Sequence, residues 1–154
     1  MTHLRYFYKG VFFFCIAHIL SGCFVIRKHN EDYLQELGKN RSHFDNFIQK
    51  VHDETDCFVY ITSGYRSNEE QKILYQRNRK NAKPGTSPHE HAIALDINLI
   101  CDGDWIVKKD SKEVWESTQV PQIAKEMGFR WGGDFKYYHD PVHFEISKKY
   151  KLQP

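Results

Sequence analysis

The hydrophobic residues that follow Lys28 are arranged with two different spacings along the chain. In EDYLQELGKNRSHFDNFIQKVHDETD (31–56) they recur every three or four positions, which is typical of a helix that buries one face. Gly38 interrupts this pattern and predicts a break in the helix. The next segment, CFVYITSGYR (57–66), is rich in β-branched and aromatic residues and therefore predicts a strand.

Helix and strand patterns continue to the C-terminus. Ser67 and Glu70 have the spacing of a capping box, which predicts a second helix over NEEQKILYQRNRK (68–80). The further predicted elements are a strand over AIALDINLI (92–100), a hairpin turn at Asp102-Gly103 leading into WIVKK (105–109), a helical region over 111–129 in which Pro121 starts a new helix, and strands over RWGGDF (130–135) and VHFEIS (142–147).

The order of these elements indicates the fold class. Helices cluster early and strands pair late, which favours an antiparallel sheet flanked by helices over a parallel doubly wound sheet. We therefore expect a small α+β domain over residues 24–154. A chain of 154 residues with 40% hydrophobic residues can bury one core but is too short for two full domains.

The first 23 residues have the composition of an export signal. Arg5 and Lys9 precede the apolar run VFFFCIAHIL, and LSGC follows it. LSGC resembles a bacterial lipobox, so we expect residues 1–23 to be a signal peptide with Cys23 as the lipidated residue. An uncleaved signal anchor is the alternative, although the run is shorter than the ~20 apolar residues that a transmembrane helix needs. Both alternatives predict a membrane-anchored protein of the cell envelope that faces the periplasm or cell wall.

The distribution of charge bears on the class of partner that the protein binds. The 22 basic and 20 acidic residues are scattered without blocks and give a net charge of +2, so we expect no nucleic-acid partner. We expect the protein to be a monomer.

Outside the signal segment the cysteines are Cys57 and Cys101, and the sequence leaves open whether they form a disulfide or two buried thiols.

Asp96 is a carboxylate inside a predicted apolar strand, where an unpaired charge is heavily penalised. His89 lies seven residues earlier at the end of a loop, and His143 lies in another short apolar strand. Two imidazoles and one carboxylate are a normal ligand set for catalytic Zn²⁺, which keeps one position for water. On spacing alone, a structural salt bridge between Asp96 and one of the histidines is the alternative.

Four segments of the chain, SGYRS (63–67), SPHEHAIALD (87–96), WGGDF (131–135) and DPVHFE (140–145), resemble in this order the motifs of the zinc peptidases that cut peptidoglycan stem peptides. SPHEHAIALD (87–96) matches the S-x-H-x-x-G-x-A-x-D signature of D-Ala-D-Ala carboxypeptidases, D-Ala-D-Ala dipeptidases and L-alanyl-D-glutamate endopeptidases. DPVHFE (140–145), WGGDF (131–135) and SGYRS (63–67) are similar to the other family segments. The chain departs from the signature at Ala92, which replaces the family glycine and would be strained if that glycine has a positive φ.

The resemblance implies a role for each matching residue. It implies that Zn²⁺ is the cofactor. The implied roles are metal ligand for His89, Asp96 and His143, catalytic acid/base for Asp140, a position facing the substrate carbonyl for Arg66, and a position near the substrate for Ser87. Glu145 shares a strand face with His143 and is expected to steady it.

The implied substrate is the peptidoglycan stem peptide, and the implied activity is that of a D-Ala-D-Ala carboxypeptidase or an L-Ala-D-Glu endopeptidase. WGGDF favours either of these over a free dipeptidase, but the motifs do not select one of the two bonds. Ala92 keeps an alternative open, in which the chain is a non-catalytic cell-wall-binding lipoprotein on the same scaffold.

Overall fold

The structure is a computed structural model that describes residues 24–148, and over this range it has an α+β fold. The predicted signal peptide and lipobox, with Cys23, lie outside the described residues. Within 24–148, none of the helices has the length and apolar character needed to cross a membrane.

The described residues form five α-helices, five strands and three short 3-10 turns. The helices are α1 (24–35 in its described part), α2 (Arg41–Glu54), α3 (Asn68–Arg77), α4 (Lys112–Ser117) and α5 (Val120–Glu126). The strands are β1 (Cys57–Ser63), β2 (Ala94–Cys101), β3 (Asp104–Ile106), β4 (Phe129–Trp131) and β5 (His143–Ile146), and the 3-10 turns are Gly38–Asn40, Pro88–His91 and Gly132–Asp134.

The strands pair in the order β1-β2-β5-β4, with β3 added to β2, and every pairing is antiparallel. One edge of β2 pairs with β1, from Cys57 opposite Cys101 to Ser63 opposite Asp96. On its other edge, β5 pairs with the start of β2 and sets His143 directly opposite Asp96. Strand register therefore brings two of the predicted ligands together.

The hydrophobic core covers one face of this sheet. Leu95, Ile97 and Leu99 alternate along β2 and are buried against the helices, with α2 contributing Phe44 and Phe47. Successive residues of a strand point to opposite faces. The intervening residues of β2, which include Asp96, therefore point to the opposite face of the sheet.

Helix α1 protects the free edge of β1. The side-chain amide of Asn30 donates to the Val59 carbonyl at 2.8 Å, and its oxygen accepts from the Ile61 N–H at 2.9 Å. The amide thus satisfies backbone groups that a neighbouring strand would otherwise bind, so the edge is covered against pairing with another chain.

Several predictions from the sequence are confirmed. The α+β class with an antiparallel sheet is correct, and the long helical pattern breaks at Gly38. Ser67 and Glu70 form both halves of a capping box, and Pro121 lies in the first turn of α5. Asp102 and Gly103 both have positive φ, as a tight two-residue hairpin turn requires.

Three predicted strands are too long. The strand predicted from residue 92 begins at Ala94, because Ala92 adopts the left-handed conformation. The strand predicted over 130–135 ends at Trp131, where Gly132–Asp134 turns back as a 3-10 turn. The strand predicted over 105–109 ends at Ile106.

The cysteine pair that the sequence left open is a disulfide. Cys57 and Cys101 are bonded at the start of β1 and the end of β2, and this closes a separation of 44 residues. The bond lies at the end of β2 that is remote from Asp96.

Candidate metal centre and active site

His89, Asp96 and His143 converge at one point on the open face of the sheet. His143 Nδ1 lies 2.9 Å from Asp96 Oδ1, and His89 Nε2 lies 3.3 Å from both of these atoms. Donors at the corners of a zinc tetrahedron with bonds of ~2.0–2.1 Å are about 3.3 Å apart. The three side chains therefore have a spacing that could hold a divalent cation of this size.

Each histidine has a partner that orients its ring. His89 Nδ1 donates to the Gly64 carbonyl at 2.7 Å, which directs Nε2 into the cluster. His143 Nε2 lies 3.3 Å from Glu145 Oε2, which directs Nδ1 into the cluster. Glu145 also forms an ion pair with Arg130. Such outer contacts select the tautomer of a metal-binding imidazole, and the predicted contact between Glu145 and His143 is confirmed.

Asp140 lies in the turn that leads into β5, three residues before His143. Its N–H donates to the Gly132 carbonyl at 3.1 Å, and its carbonyl accepts from the His143 N–H at 3.0 Å. A Cβ on Gly132 would meet the Asp140 carbonyl oxygen at 2.2 Å, so only glycine permits this approach. Lys108 Nζ lies 2.8 Å from Asp140 Oδ1 in an ion pair that lacks hydrogen-bond geometry.

Arg66 is held by two side chains and tied to the loop of His89. Its guanidinium donates to Ser63 Oγ at 3.0 Å and to Gln71 Oε1 at 2.8 Å. Its backbone N–H donates to the His89 carbonyl at 3.3 Å. A cavity of about 340 Å³ opens beside it, and Arg77 also lines this cavity. The buried Gln71 is a supporting residue that the sequence pattern did not indicate.

Comparisons with known proteins identify the family of this chain. A family model described as D-alanyl-D-alanine carboxypeptidase matches residues 80–146, which include all three converging side chains. The chain is 34% identical to the peptidoglycan L-alanyl-D-glutamate endopeptidase CwlK of Bacillus subtilis (strain 168), over 86% of this chain and 92% of that protein. The chain belongs to this family of peptidoglycan stem-peptide peptidases.

Solved structures of this family share the fold. The L-Ala D-Glu endopeptidase ChiX of Serratia marcescens aligns with a TM-score of 0.59 and 20% identity, over 77% of this chain and 86% of that chain. The vancomycin-resistance D,D-pentapeptidase VanY, solved in complex with Zn(II), aligns with a TM-score of 0.50 and 20% identity, over 68% of each chain. At these identities the similarity supports the fold of the peptidase domain.

Two of the three converging side chains, Asp96 and His143, have strongly shifted pKa values. Burial favours the neutral form of Asp96, but hydrogen bonds with His143 and His89 outweigh burial and hold its pKa well below the usual value. Burial likewise opposes protonation of His143, yet contacts with Asp96 and Glu145 raise its pKa to about 9. These contacts favour the protonated form of His143, and a metal ion would compete with that proton for the ring nitrogen.

The loop that presents His89 is organised by Glu90. Its carboxylate accepts from the N–H groups of Gly85 at 2.8 Å and Ser87 at 3.1 Å, and from Asn68 Nδ2 at 2.9 Å. Burial opposes ionisation of Glu90, but these donors outweigh it and lower the pKa. The sequence feature that could have identified Glu90 is its position three residues after Ser87, which is the spacing of a capping box. Ser87 is only 3% exposed, and its contact with substrate stays a prediction.

Ala92 has the positive φ that would favour the family glycine at this position. Its φ of 53° and ψ of 33° are left-handed, and its N–H donates to the His89 carbonyl at 3.1 Å. Asn40 Nδ2 donates to the Ala92 carbonyl at 3.0 Å and so holds this conformation. A non-glycine residue here costs about 1–2 kcal/mol. The strain lies in the loop that connects His89 to Asp96.

Proposed function

We propose that this protein is a zinc-dependent peptidase that hydrolyses a peptide bond in peptidoglycan stem peptides, with His89, Asp96 and His143 as ligands. The convergence of their donor atoms at 2.9 to 3.3 Å carries the proposal. The outer contacts of both imidazoles support it, because a structural salt bridge would not require each ring to present one nitrogen to the same point. The Zn(II) in VanY is a further support.

Within this class we infer that the L-Ala–D-Glu bond is cut. CwlK is named as an L-alanyl-D-glutamate endopeptidase, and the match covers 92% of it. The alternative bond is D-Ala–D-Ala, to which the description of the family model points.

The chain's own residues supply the proton transfers and the charge stabilisation. Zinc, when bound, would lower the pKa of a coordinated water and polarise the scissile carbonyl. Asp140 accepts a proton from the attacking water and delivers it to the leaving amine as the C–N bond breaks. Arg66 donates to the oxyanion of the tetrahedral intermediate, and its contacts with Ser63 and Gln71 hold its guanidinium before substrate arrives.

The envelope location is part of the same proposal. Residues 1–23 have the order of a signal peptide with a lipobox, and a disulfide between Cys57 and Cys101 suits an oxidising compartment. A Cys23→Ser variant of the full chain is expected to lose incorporation of labelled fatty acid. Equal labelling of variant and parent would contradict lipidation at Cys23.

The central test uses purified residues 24–154 on a defined muropeptide, with and without a chelator. We expect zinc-dependent release of a peptide that begins with D-Glu, identified by mass. Release of single D-Ala would support the carboxypeptidase instead. Binding of the muropeptide without any product would support a non-catalytic wall-binding protein, for which the strain at Ala92 is the structural argument.

A further inference from the structure

A strip of side chains extends from the metal centre along the open face of the sheet. Asp96, Asn98 and Ile100 alternate along β2 and share this face. Tyr60 of β1 is the direct partner of Asn98. Trp105 of β3 is the direct partner of Ile100. Directly paired residues put their side chains on the same side of a sheet, so all five belong to one surface.

The strip is ordered before any ligand binds. The rings of Tyr60 and Trp105 meet edge to face, with centroids 5.2 Å apart. His29 of α1 stacks on Tyr60 with centroids 4.1 Å apart, and His29 Nε2 is itself held 2.8 Å from the Ile61 carbonyl oxygen. These contacts fix the orientation of the phenol ring, so a ligand would meet a formed surface.

Two members of the strip have unused binding capacity. Trp105 is 51% exposed, whereas the other two tryptophans, Trp115 and Trp131, are 0% and 1% exposed. Asn98 is half-buried, and its side-chain amide has no hydrogen-bond partner among residues 24–148. The exposed part of the Trp105 indole and the free amide of Asn98 are both suited to bind a ligand.

The distances along the strip match one end of the substrate. With a rise of about 3.3 Å per residue, Asn98 lies about 7 Å and Ile100 about 13 Å along β2 from Asp96. In an L-Ala–D-Glu substrate, the N-acetylmuramyl ring is joined to L-Ala through a lactyl group, about two residue lengths or 7 Å from the scissile carbonyl. For a D-Ala–D-Ala bond the sugar would be roughly 10 Å further away.

The chemistry of the strip also differs from that of the cavity beside Arg66. The sugar side of the scissile bond is uncharged, whereas the peptide side carries carboxylates. The strip around Tyr60 and Trp105 is aromatic, while the cavity beside Arg66, which includes neither residue, is lined by the charged side chains of Arg66, Glu70 and Arg77. A sugar ring can lay its C–H face on an indole, and its acetamido group can hydrogen-bond to Asn98.

We propose that Tyr60, Asn98 and Trp105 form a subsite for the N-acetylmuramyl end of the stem peptide. This inference rests on the proposed function and on cleavage of the L-Ala–D-Glu bond. It assigns the protein a preference for stems that are still attached to sugar over free stem peptides.

The first test measures binding without catalysis. N-acetylmuramyl-L-alanine, the sugar-side product, is titrated into the full mature protein while tryptophan fluorescence is recorded. Because Trp105 is the exposed tryptophan, a saturable change is expected in the parent and is expected to vanish in Trp105→Ala. Absence of a saturable change, or the same change in Trp105→Ala, would overturn the subsite. This readout does not depend on peptidase activity.

The second test compares kcat/KM for a muropeptide and for the same stem peptide without sugar. Trp105→Ala is expected to lower kcat/KM for the muropeptide by about tenfold, as expected for one aromatic contact, and to leave the free peptide unchanged. Asn98→Ala should act in the same direction. Equal losses on both substrates would contradict the proposal.

The matched control is Val114→Ala. Val114 is an exposed residue of α4, the helix that packs on the covered face of the sheet through Trp115. This variant should keep the preference for sugar. If neither substrate is cleaved by the parent protein, the proposed peptidase function fails, while the fluorescence titration still decides the subsite.

Discussion

The two ends of β2 are joined to the rest of the sheet by different chemistry. At its first residues, Asp96 lies between Ser63 on one side and His143 on the other, in a cluster of ionisable groups. At its last residue, Cys101 is bonded to Cys57. The end at Cys101, the disulfide end, is closed covalently. The end at Asp96, called the metal end after its candidate ligands, contains buried polar groups whose charges must balance.

The metal end also contains a register shift and a left-handed alanine. The β1–β2 register shifts between Ile61 and Ser63, and the left-handed Ala92 lies just before β2. Buried charges and backbone strain both reduce stability, and such features persist only where the surrounding structure holds them in place. The comparison shows that one end of the strand is closed by a covalent bond, whereas the other carries the candidate metal ligands at a cost in stability.

The largest expected effect on zinc binding and activity comes from removing a candidate ligand. His143→Ala should lose bound zinc and all measurable peptidase activity, because two remaining donors do not complete the site. Metal analysis and product release would be measured on the same preparation. Retention of stoichiometric zinc with normal activity would show that His143 is not a ligand.

Asp140→Asn separates chemistry from metal binding. Because Asp140 is proposed to carry the proton and not to bind the ion, we expect zinc content to stay the same and kcat to fall by about 10²–10⁴-fold. Lys108→Met is the matched control, since it removes the partner of Asp140 and leaves the carboxylate. If Asp140→Asn loses zinc, the division of roles between Asp140 and His143 is wrong.

The disulfide end should respond in stability and not in catalysis. The double variant Cys57→Ser, Cys101→Ser is expected to lose about 2–4 kcal/mol in the free energy of unfolding. Denaturant unfolding would measure this loss, and kcat at 25 °C should be unchanged because the bond lies at the opposite end of β2. An equal loss of kcat and stability would mean that the two ends are coupled.

The smallest expected effect tests the strain beside the metal end. Ala92→Gly removes the penalty of a left-handed alanine and should raise the free energy of unfolding by about 1 kcal/mol. Thermal unfolding of the zinc-loaded protein is the measurement, and its activity should not fall. A loss of stability would indicate that the Ala92 methyl group makes packing contacts worth more than the strain.

The sequence predicted the types of element and the family because both are written in short stretches of chain. The capping box at Ser67 and the Asp102-Gly103 turn depend on neighbours within a few residues, and the motif around His89 spans only ten positions. The same local logic failed at Ala92 and Gly132. There the backbone follows contacts with Asn40, 52 residues from Ala92, and with the Asp140 turn, which lies beyond the immediate neighbours of Gly132.

By itself, the sequence determined which residues are available for the site, because the identity and spacing of His89, Asp96 and His143 carry the family motif. Only the tertiary structure decided which nitrogen each imidazole presents and that Cys57 and Cys101 are bonded. It also decided that Tyr60 and Trp105 share a face with the metal centre. The imidazole orientations depend on the contacts with Gly64 and Glu145. The disulfide and the shared face depend on strand register, which arises from the packing of the whole sheet against its core.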